Sequence, residues 1–457
     1  MTTQNTPFTS LRDWLRHLAR TDRLAAIRPG VSLVHELAAI AKRLDGEQAV
    51  LFPRPGGHAM PVVSGFMSRR AWIAEAMGVP ESGVLQRFLG AAEHPVPWQE
   101  VAQGTVPAQE VVHHFEGDGS ADIRKLLPVP THSEHDAGPY ITAGLVIARN
   151  PKTGIQNVSI NRIQLHDRDR LGVLILPRHL RAFFATAEAA GEPLDVAIVI
   201  GVDPLTALAS QAIAPLDFDE LEIAGALHGA PLRVVKCLTN EVRVPADAEI
   251  VIEGRILPHA REAEGPFGEF PKYYSAREER EVITIQAVTH RRDPVYHTIV
   301  PAEMEHLLLG SIPREATLLS HLQRSFPNVQ DVHLTVGGVA RYHLHVQMKK
   351  TREGQAKNVI FGAFAGHYDI KQVIVVDDDV DLHKPSEVEW AVATRFQADR
   401  DLVVVAGTQG SALDPSTTVG FPGNKPPLAW QGFGAKMGLD ATKPLASDEH
   451  VFTRVRI

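Results

Sequence analysis

The chain is poor in cysteine: Cys237 is the one thiol among 457 residues. A single cysteine excludes an intrachain disulfide framework and a cysteine-rich zinc site, and it reads as a small buried hydrophobe. No apolar run reaches the roughly 18 residues of a membrane-spanning helix. The opening Met1-Thr2-Thr3-Gln4-Asn5-Thr6 lacks a basic stretch leading into an apolar one. The expected compartment is therefore the cytoplasm, with no membrane partner. Positive charge is also short: 46 Lys and Arg stand against 54 Asp and Glu, a net charge of −8. With a pI near 6.3, this argues against nucleic acid or an anionic membrane as the main ligand, and for a small molecule or another protein. Internal repeats, low-complexity tracts and heptad runs are absent too.

What remains is an ordinary globular composition, 44% hydrophobic and 22% charged, with length for two or three domains. Ser10 is placed to cap a helix in which Leu11, Trp14, Leu15 and Leu18 share one face. Helical patterns over residues 33–44 and 70–77, with strands at 49–52 and 60–65, predict a small N-terminal α/β domain over 1–115. Residues 93–120 turn to proline, histidine and acid without periodicity, which predicts a linker or lid. Short strand-like runs then dominate, at 144–148, 157–165, 172–176, 196–201, 250–253 and 283–287. Many short strands with few helices predict a barrel or sandwich, assigned to 116–310. A helix is expected after Pro313, and the α/β texture returns: a strand at 372–377, a helix capped by Ser386, a strand at 402–406. The glycine- and proline-rich stretch from Thr408 to Gly434 and an extended tail complete a C-terminal α/β domain over 311–457.

The stretch Glu264-Gly265-Pro266-Phe267-Gly268-Glu269-Phe270 holds two carboxylates around a rigid, glycine-bracketed turn. Pro266 sets its own φ and each glycine can take positive φ, so the loop can aim both acids at one spot. Converging carboxylates need an opposing charge, or one of them stays protonated, and such conflicts displace pKa values usefully for acid/base chemistry. A solvated turn with two surface acids is the other reading. In the run from Asn157 to Arg162, alternation puts Asn157, Ser159 and Asn161 on one face and Val158, Ile160 and Arg162 on the other. An arginine on an apolar face is costly unless paired, and Glu264 and Glu269 offer the pairing. A structural ion pair at a barrel mouth serves equally well. Asn157, His179 and Glu220 are an amide, an imidazole and a carboxylate, a ligand set for a hard or borderline divalent ion, though without a spacing motif.

The segments 157–162, 176–179, 234–254, 264–269 and 436–442, in that order, make the chain resemble the UbiD-like decarboxylases. The resemblance implies a central split β-barrel that binds prenylated FMN, flanked by an N-terminal α/β domain and a C-terminal α/β domain that dimerises and returns its tail to the cofactor site. It implies removal or addition of CO2 on an aromatic or α,β-unsaturated acid. Glu269 resembles the proton donor, and Arg162 with Glu264 resembles the pair that orients the reacting carboxylate. Asn157, His179 and Glu220 are similar to the ligands of a manganese ion that clamps the cofactor phosphate. Ala209 and Ser210 are similar to positions whose backbone oxygens help hold potassium beside Glu220. The cofactor is expected along Asn157, Val158, Ser159, Ile160, Asn161 and Arg162, with Arg178, His179, Glu220 and Lys436. Val158 and Asn161 depart from the residues common in relatives. The resemblance also implies a separate flavin prenyltransferase as supplier of the cofactor, and a homodimer or larger homo-oligomer.

For the substrate, Phe270 is expected to wall the pocket and favour a flat ring. His306 and Arg314 lie where they can bind a heteroatom, a hydroxyl or a second carboxylate, or can cap and pair locally. The expected substrate is a pyrrole-, furan-, indole- or hydroxybenzoate-type acid, with an acrylic-type acid as the alternative. A different reading takes Asp377, Asp379 and Asp381 as a metal cluster of a hydrolase. A third is a flavin-binding assembly partner without turnover, which the presence of Arg162, Glu264 and Glu269 together argues against.

Overall fold

The computed structural model describes residues 8–115, 121–425, 428–446 and 450–455. It divides into two compact units, one up to Leu309 and one from Gly310 onward. The last residues of the expected linker, 116–120, lie outside the described residues.

In the first unit, Ser10 caps the helix Leu11–Arg20 by accepting the Asp13 N–H, and Leu11, Trp14, Leu15 and Leu18 are all buried. The periodicity there reads correctly because one face alone meets the core. A four-stranded sheet follows, ordered Leu24–Ala26, Ala49–Phe52, Val62–Ser64 and Tyr296–His297. The helix expected over 33–44 is shorter, Glu36–Arg43, because Val34 bridges to Thr131 and His35 takes a φ of +62°. The expected linker is partly ordered structure. Gln99–Val101 pairs with Arg233–Lys236, and Val111–His114 pairs with Glu278–His290. These strands are three and four residues long, too short for alternation to register, and their ladder partners lie more than 100 positions away.

The centre of this unit is a nine-stranded sheet. Its order is Tyr140–Ile141, Ile163–Leu165, Arg170–Val173, Glu278–His290, Ile250–Glu264, Leu194–Ile200, Leu145–Arg149 and Gln156–Ile160, every neighbouring pair antiparallel, with Val111–His114 beside Glu278–His290. Gln156–Ile160 closes one end of that order, while Ile163–Leu165 stands next to the other. Only Asn161 and Arg162 join them in sequence. Three residue steps span at most about 11 Å, so both ends of the sheet must lie side by side. The sheet is therefore curled into a half-barrel, with Arg162 at its seam. Inward residues such as Val146, Val173, Ile198, Ile252 and Ile283 fill the curl. The continuous strand expected over 157–165 is thus two strands broken at the seam.

The second unit carries a five-stranded sheet, ordered Val329–Leu334, His343–Met348, Gln372–Asp377, Phe433–Ala441 and Leu402–Gln409. Three expectations are corrected there. The helix expected after Pro313 runs Met304–Ser325 with Pro313 inside it, crossing the division between the units. It starts at Met304 because Asp45 Oδ2 accepts the Met304 N–H at 2.8 Å, a cap contributed from far along the chain. Ser386 is the second residue of the helix Pro385–Arg395 rather than its cap. The expected extended tail contains Phe433–Ala441, a strand seated between two others, where its backbone groups are paired on both sides. Among the described residues, no helix is long and apolar enough to cross a membrane.

Candidate active site

Glu264 is the last residue of the long strand Ile250–Glu264, and the chain then reverses before Glu278–His290 begins. Gly265 makes that reversal at a φ of +87°, and a Cβ there would stand 2.7 Å from the Ala276 carbonyl oxygen. The Gly265–Pro266 peptide is cis. The rest of the loop is pinned from a neighbouring turn: Ala137 N–H donates to Pro266 O, and Gly268 N–H donates to Asp136 Oδ1, each at 2.8 Å. Ser133 N–H holds the other Asp136 oxygen at 2.8 Å. Glu269 N–H donates to Tyr273 O at 2.9 Å. Gly265→Ala is expected to cut kcat/KM at least tenfold and to lower the unfolding midpoint, since alanine meets both the unfavourable φ and the carbonyl. Steady-state kinetics with a thermal melt check it; wild-type values in both would contradict it.

At the seam, Arg162 reaches both acids. Its Nη2 donates to Glu264 Oε2 at 2.7 Å and its Nη1 donates to Glu269. The side chains of Arg162, Glu264 and Glu269 are 8%, 0% and 12% exposed, so the pairing is nearly dry. The guanidinium lies 5.4 Å from the centre of the Phe267 ring, whose quadrupole favours it there. Burial works against the Arg162 cation, but Glu269 and Glu264 outweigh it and raise its pKa. Burial also raises the Glu269 carboxyl, with Arg162 opposing and Glu264 adding to the rise. An acid so placed holds its proton closer to neutrality than an ordinary glutamate.

A second cluster sits where the strand Gln156–Ile160 meets two helix starts. His179 opens the helix His179–Ala189 and Glu220 opens Glu220–His228. Asn157 Nδ2 donates to Glu220 Oε1 at 2.8 Å, Val158 N–H donates to Glu220 Oε2 at 2.7 Å, and His179 Nδ1 stands 3.9 Å from Glu220 Oε1. Burial pushes Glu220 up to about 8. An amide, an imidazole and a buried carboxylate converging in this way fit a divalent ion. Among the described residues no group of three or more His, Cys, Asp or Glu converges, so the amide is essential to the set. Arg178, exposed, precedes the first turn of His179–Ala189, whose start has no side-chain cap. That leaves helix N–H groups and a cation for an anionic group such as a phosphate. Ala209 ends the helix Pro204–Ala209 and Ser210 follows it, its hydroxyl donating to Ala207 O at 2.7 Å. Ser159 Oγ donates to Asn161 Oδ1 at 2.9 Å, and Asn161 Nδ2 donates to Leu174 O at 3.1 Å. Val158 is buried and Ile160 half-buried. Asn157 thus faces the Glu220 cluster while Arg162, past the strand end, faces the acid loop.

His306, Arg314 and Lys436 each have a partner within their own unit. Phe270 is buried directly after Glu269. His306 Nδ1 accepts the Ala302 N–H at 3.0 Å, one of the local roles left open for it. Arg314, in the second unit, is buried and lies 3.4 Å from Asp369 Oδ2. Lys436, also in the second unit, donates from Nζ to Tyr368 O and Ile370 O at 2.8 and 2.7 Å, beside a cavity of about 580 Å³ walled by Phe361, Phe364 and Tyr368. The acidic run at 377–381 is structural. Arg395 bonds Asp377 at 2.8 Å and Asp379 at 2.8 and 3.0 Å, Lys443 adds a contact to each, and Asp381 accepts the His383 N–H. Asp379 is thus held by two cations and Asp377 by one cation and a backbone N–H, which gives the run a structural role in place of the expected hydrolase cluster. Sequence reasoning missed Asp136, Tyr140 and Gln164, all of which bond the acid loop. Gln164 had one signal, its place two residues after Arg162; Asp136 and Tyr140 had none.

Known proteins resemble this chain over almost its whole length. Residues 15–92, 99–304 and 307–441 match the N-terminal, Rift-related and C-terminal domains described for 3-octaprenyl-4-hydroxybenzoate carboxy-lyase, UbiD. The chain is similar to the UbiD-class enzyme HmfF from Pelotomaculum thermopropionicum solved with FMN, at 50% identity and a TM-score of 0.93, over 98% of this chain and 97% of that one. An evolved dimeric form of HmfF, solved with prFMN, matches at 47% identity and a TM-score of 0.89, over 98% and 97% of the two chains. It is also 40% identical to the anhydromevalonate phosphate decarboxylase of Methanothermobacter thermautotrophicus over 396 residues, 87% of this chain and 88% of that protein.

Proposed function

The chain belongs to the UbiD family of carboxy-lyases, and on that footing we propose that it decarboxylates an aromatic or heteroaromatic acid reversibly with prenylated FMN, Glu269 serving as the proton donor. The observation that carries the reading is Arg162, held at a barrel seam between two buried carboxylates of one loop. The cofactor, when bound, supplies the electrophilic centre and electron sink that side chains lack. Arg162 turns its cation toward the carboxylate of the acid, and Glu264 keeps the guanidinium in place. As CO2 departs, the reacting carbon needs a proton, and Glu269 delivers it from a carboxyl whose pKa burial raises. In the reverse direction Glu269 takes the proton back. Phe270 lines the dry wall beside it, which suits a flat ring of the pyrrole, furan, indole or hydroxybenzoate type.

Asn157, His179 and Glu220 would hold a manganese ion, and the start of the helix His179–Ala189 with Arg178 would receive the flavin phosphate. Ala209 and Ser210 are proposed for potassium. A flavin prenyltransferase would furnish the cofactor, and the chain would assemble as a homodimer or larger homo-oligomer. A second reading, an α,β-unsaturated acid, is favoured by the likeness to a decarboxylase of anhydromevalonate phosphate.

The test is to express the chain with a flavin prenyltransferase and manganese and to take the mass and visible spectrum of the small molecule it releases. The expected mass is FMN plus a prenyl group. CO2 release from a panel of aromatic, heteroaromatic and α,β-unsaturated acids then identifies the substrate class. Glu220→Gln is expected to lower flavin retention at least tenfold, because a neutral amide is a poor ligand for a hard cation. Folded protein that takes up no flavin would overturn the proposal.

A further inference from the structure

Glu264 is fully buried, and its two oxygens are held by different partners. Oε2 accepts from Arg162 Nη2 at 2.7 Å, whereas Oε1 lies 3.1 Å from the Tyr140 hydroxyl. That hydroxyl accepts the Gly265 N–H at 3.1 Å and stands 3.1 Å from Gln164 Oε1. Its one proton has two acceptors, and the charged carboxylate is the stronger. The hydroxyl is held by the fold itself. Tyr140 and Gln164 are opposite residues in the ladder, Tyr140 N–H donates to Pro130 O at 3.0 Å, and the Tyr140 ring lies 4.4 Å from Phe267, the ring beneath Arg162.

Resting on the proposed role of the Arg162, Glu264 and Glu269 set, we propose that Tyr140 is a positioning residue. Its hydroxyl holds one oxygen of Glu264 and leaves the other to Arg162. The charged or titratable groups that face Glu264 are Arg162, Glu269 beyond the guanidinium, and Tyr140. Glu278, opposite Glu264 in the ladder, is half-exposed and paired with Arg280. With Tyr140 in place, the carboxylate presents one oxygen to each donor and Arg162 is left square to the substrate.

Tyr140→Phe tests this cleanly, because the Gly265 N–H retains Gln164 Oε1 at 3.1 Å as its acceptor and the loop loses no backbone bond. In the holoenzyme, kcat is expected to fall about 10- to 100-fold, the usual worth of a hydrogen bond to a charged group, with KM nearly unchanged. A second readout needs no activity. The melting deficit of Tyr140→Phe should shrink in a Glu264→Gln background, because the hydroxyl then loses a neutral acceptor in place of a charged one. A loss that falls on KM instead of kcat, or a melting deficit of the same size in both backgrounds, overturns the inference. Failure of the wild-type chain to release CO2 from any acid would count against the proposed reaction, while the melts would still decide the role of Tyr140.

Discussion

Glu269→Gln is expected to abolish CO2 release while leaving the flavin bound and the fold intact. Glutamine is nearly isosteric, and its amide oxygen still accepts from Arg162 Nη1, so the buried cation loses little. What disappears is the transferable proton. Positioned general acids contribute about 10²- to 10⁴-fold, and the Glu269 side chain is only 12% exposed to bulk solvent. The loss should appear in kcat, at the upper part of that range or beyond, with flavin content by absorbance equal to wild type. Loss of flavin from this variant would reassign Glu269 to cofactor binding, and appreciable turnover would remove it from the chemistry. Because burial raises the Glu269 pKa, wild-type decarboxylation should decline as pH rises through that pKa and the donor loses its proton.

Arg162→Met carries the second large effect, and it reaches stability as well as rate. Removing the cation leaves Glu264 and Glu269 dry and without a counter-charge, and breaking a buried pair in this way costs about 3–5 kcal/mol. The Glu269 carboxyl, already raised by burial, then loses the cation that opposes the rise. A carboxyl raised in the folded state contributes stability below its unfolded pKa and loses it as pH rises through the folded pKa. The variant's melting deficit is therefore expected to be small near pH 4 and roughly 5–10 °C at pH 8. Activity should fall at least 10³-fold at either pH, since no group remains to orient the substrate carboxylate. Arg162→Lys should recover part of the stability and little of the rate, because one ammonium cannot hold two carboxylates as the planar guanidinium does. A flat melting difference across pH would mean that the acids find another partner.

Much of this site was legible before any coordinates. The turn chemistry around Pro266 marked the acid loop, and an arginine on an apolar run demanded carboxylates that the loop could supply. The Asn157, His179 and Glu220 set was readable as ligand chemistry but not as a motif. It is assembled from a strand and two helix starts, and no fixed spacing encodes that assembly. The acidic run at 377–381 shows the opposite failure. Its residues looked like a site only because Arg395, its main partner, lies 16 and 18 positions away on a helix.

By itself, the sequence determined which segments could fold locally and which chemistry was available. Ser10 and the apolar stripe behind it, the strand Gln372–Asp377, and the reversal at Gly265 follow from propensity, burial period and backbone freedom, all set by neighbours a few residues apart. The tertiary structure decided where that chemistry acts. Curling the sheet brought its two ends together at Asn161 and Arg162, broke a continuous strand there, and set the guanidinium against acids more than 100 positions away. It also gave Glu264 the hydroxyl of Tyr140, at a separation of 124 positions. Such contacts arise from closure and packing of whole sheets, a free energy that no local window of sequence contains.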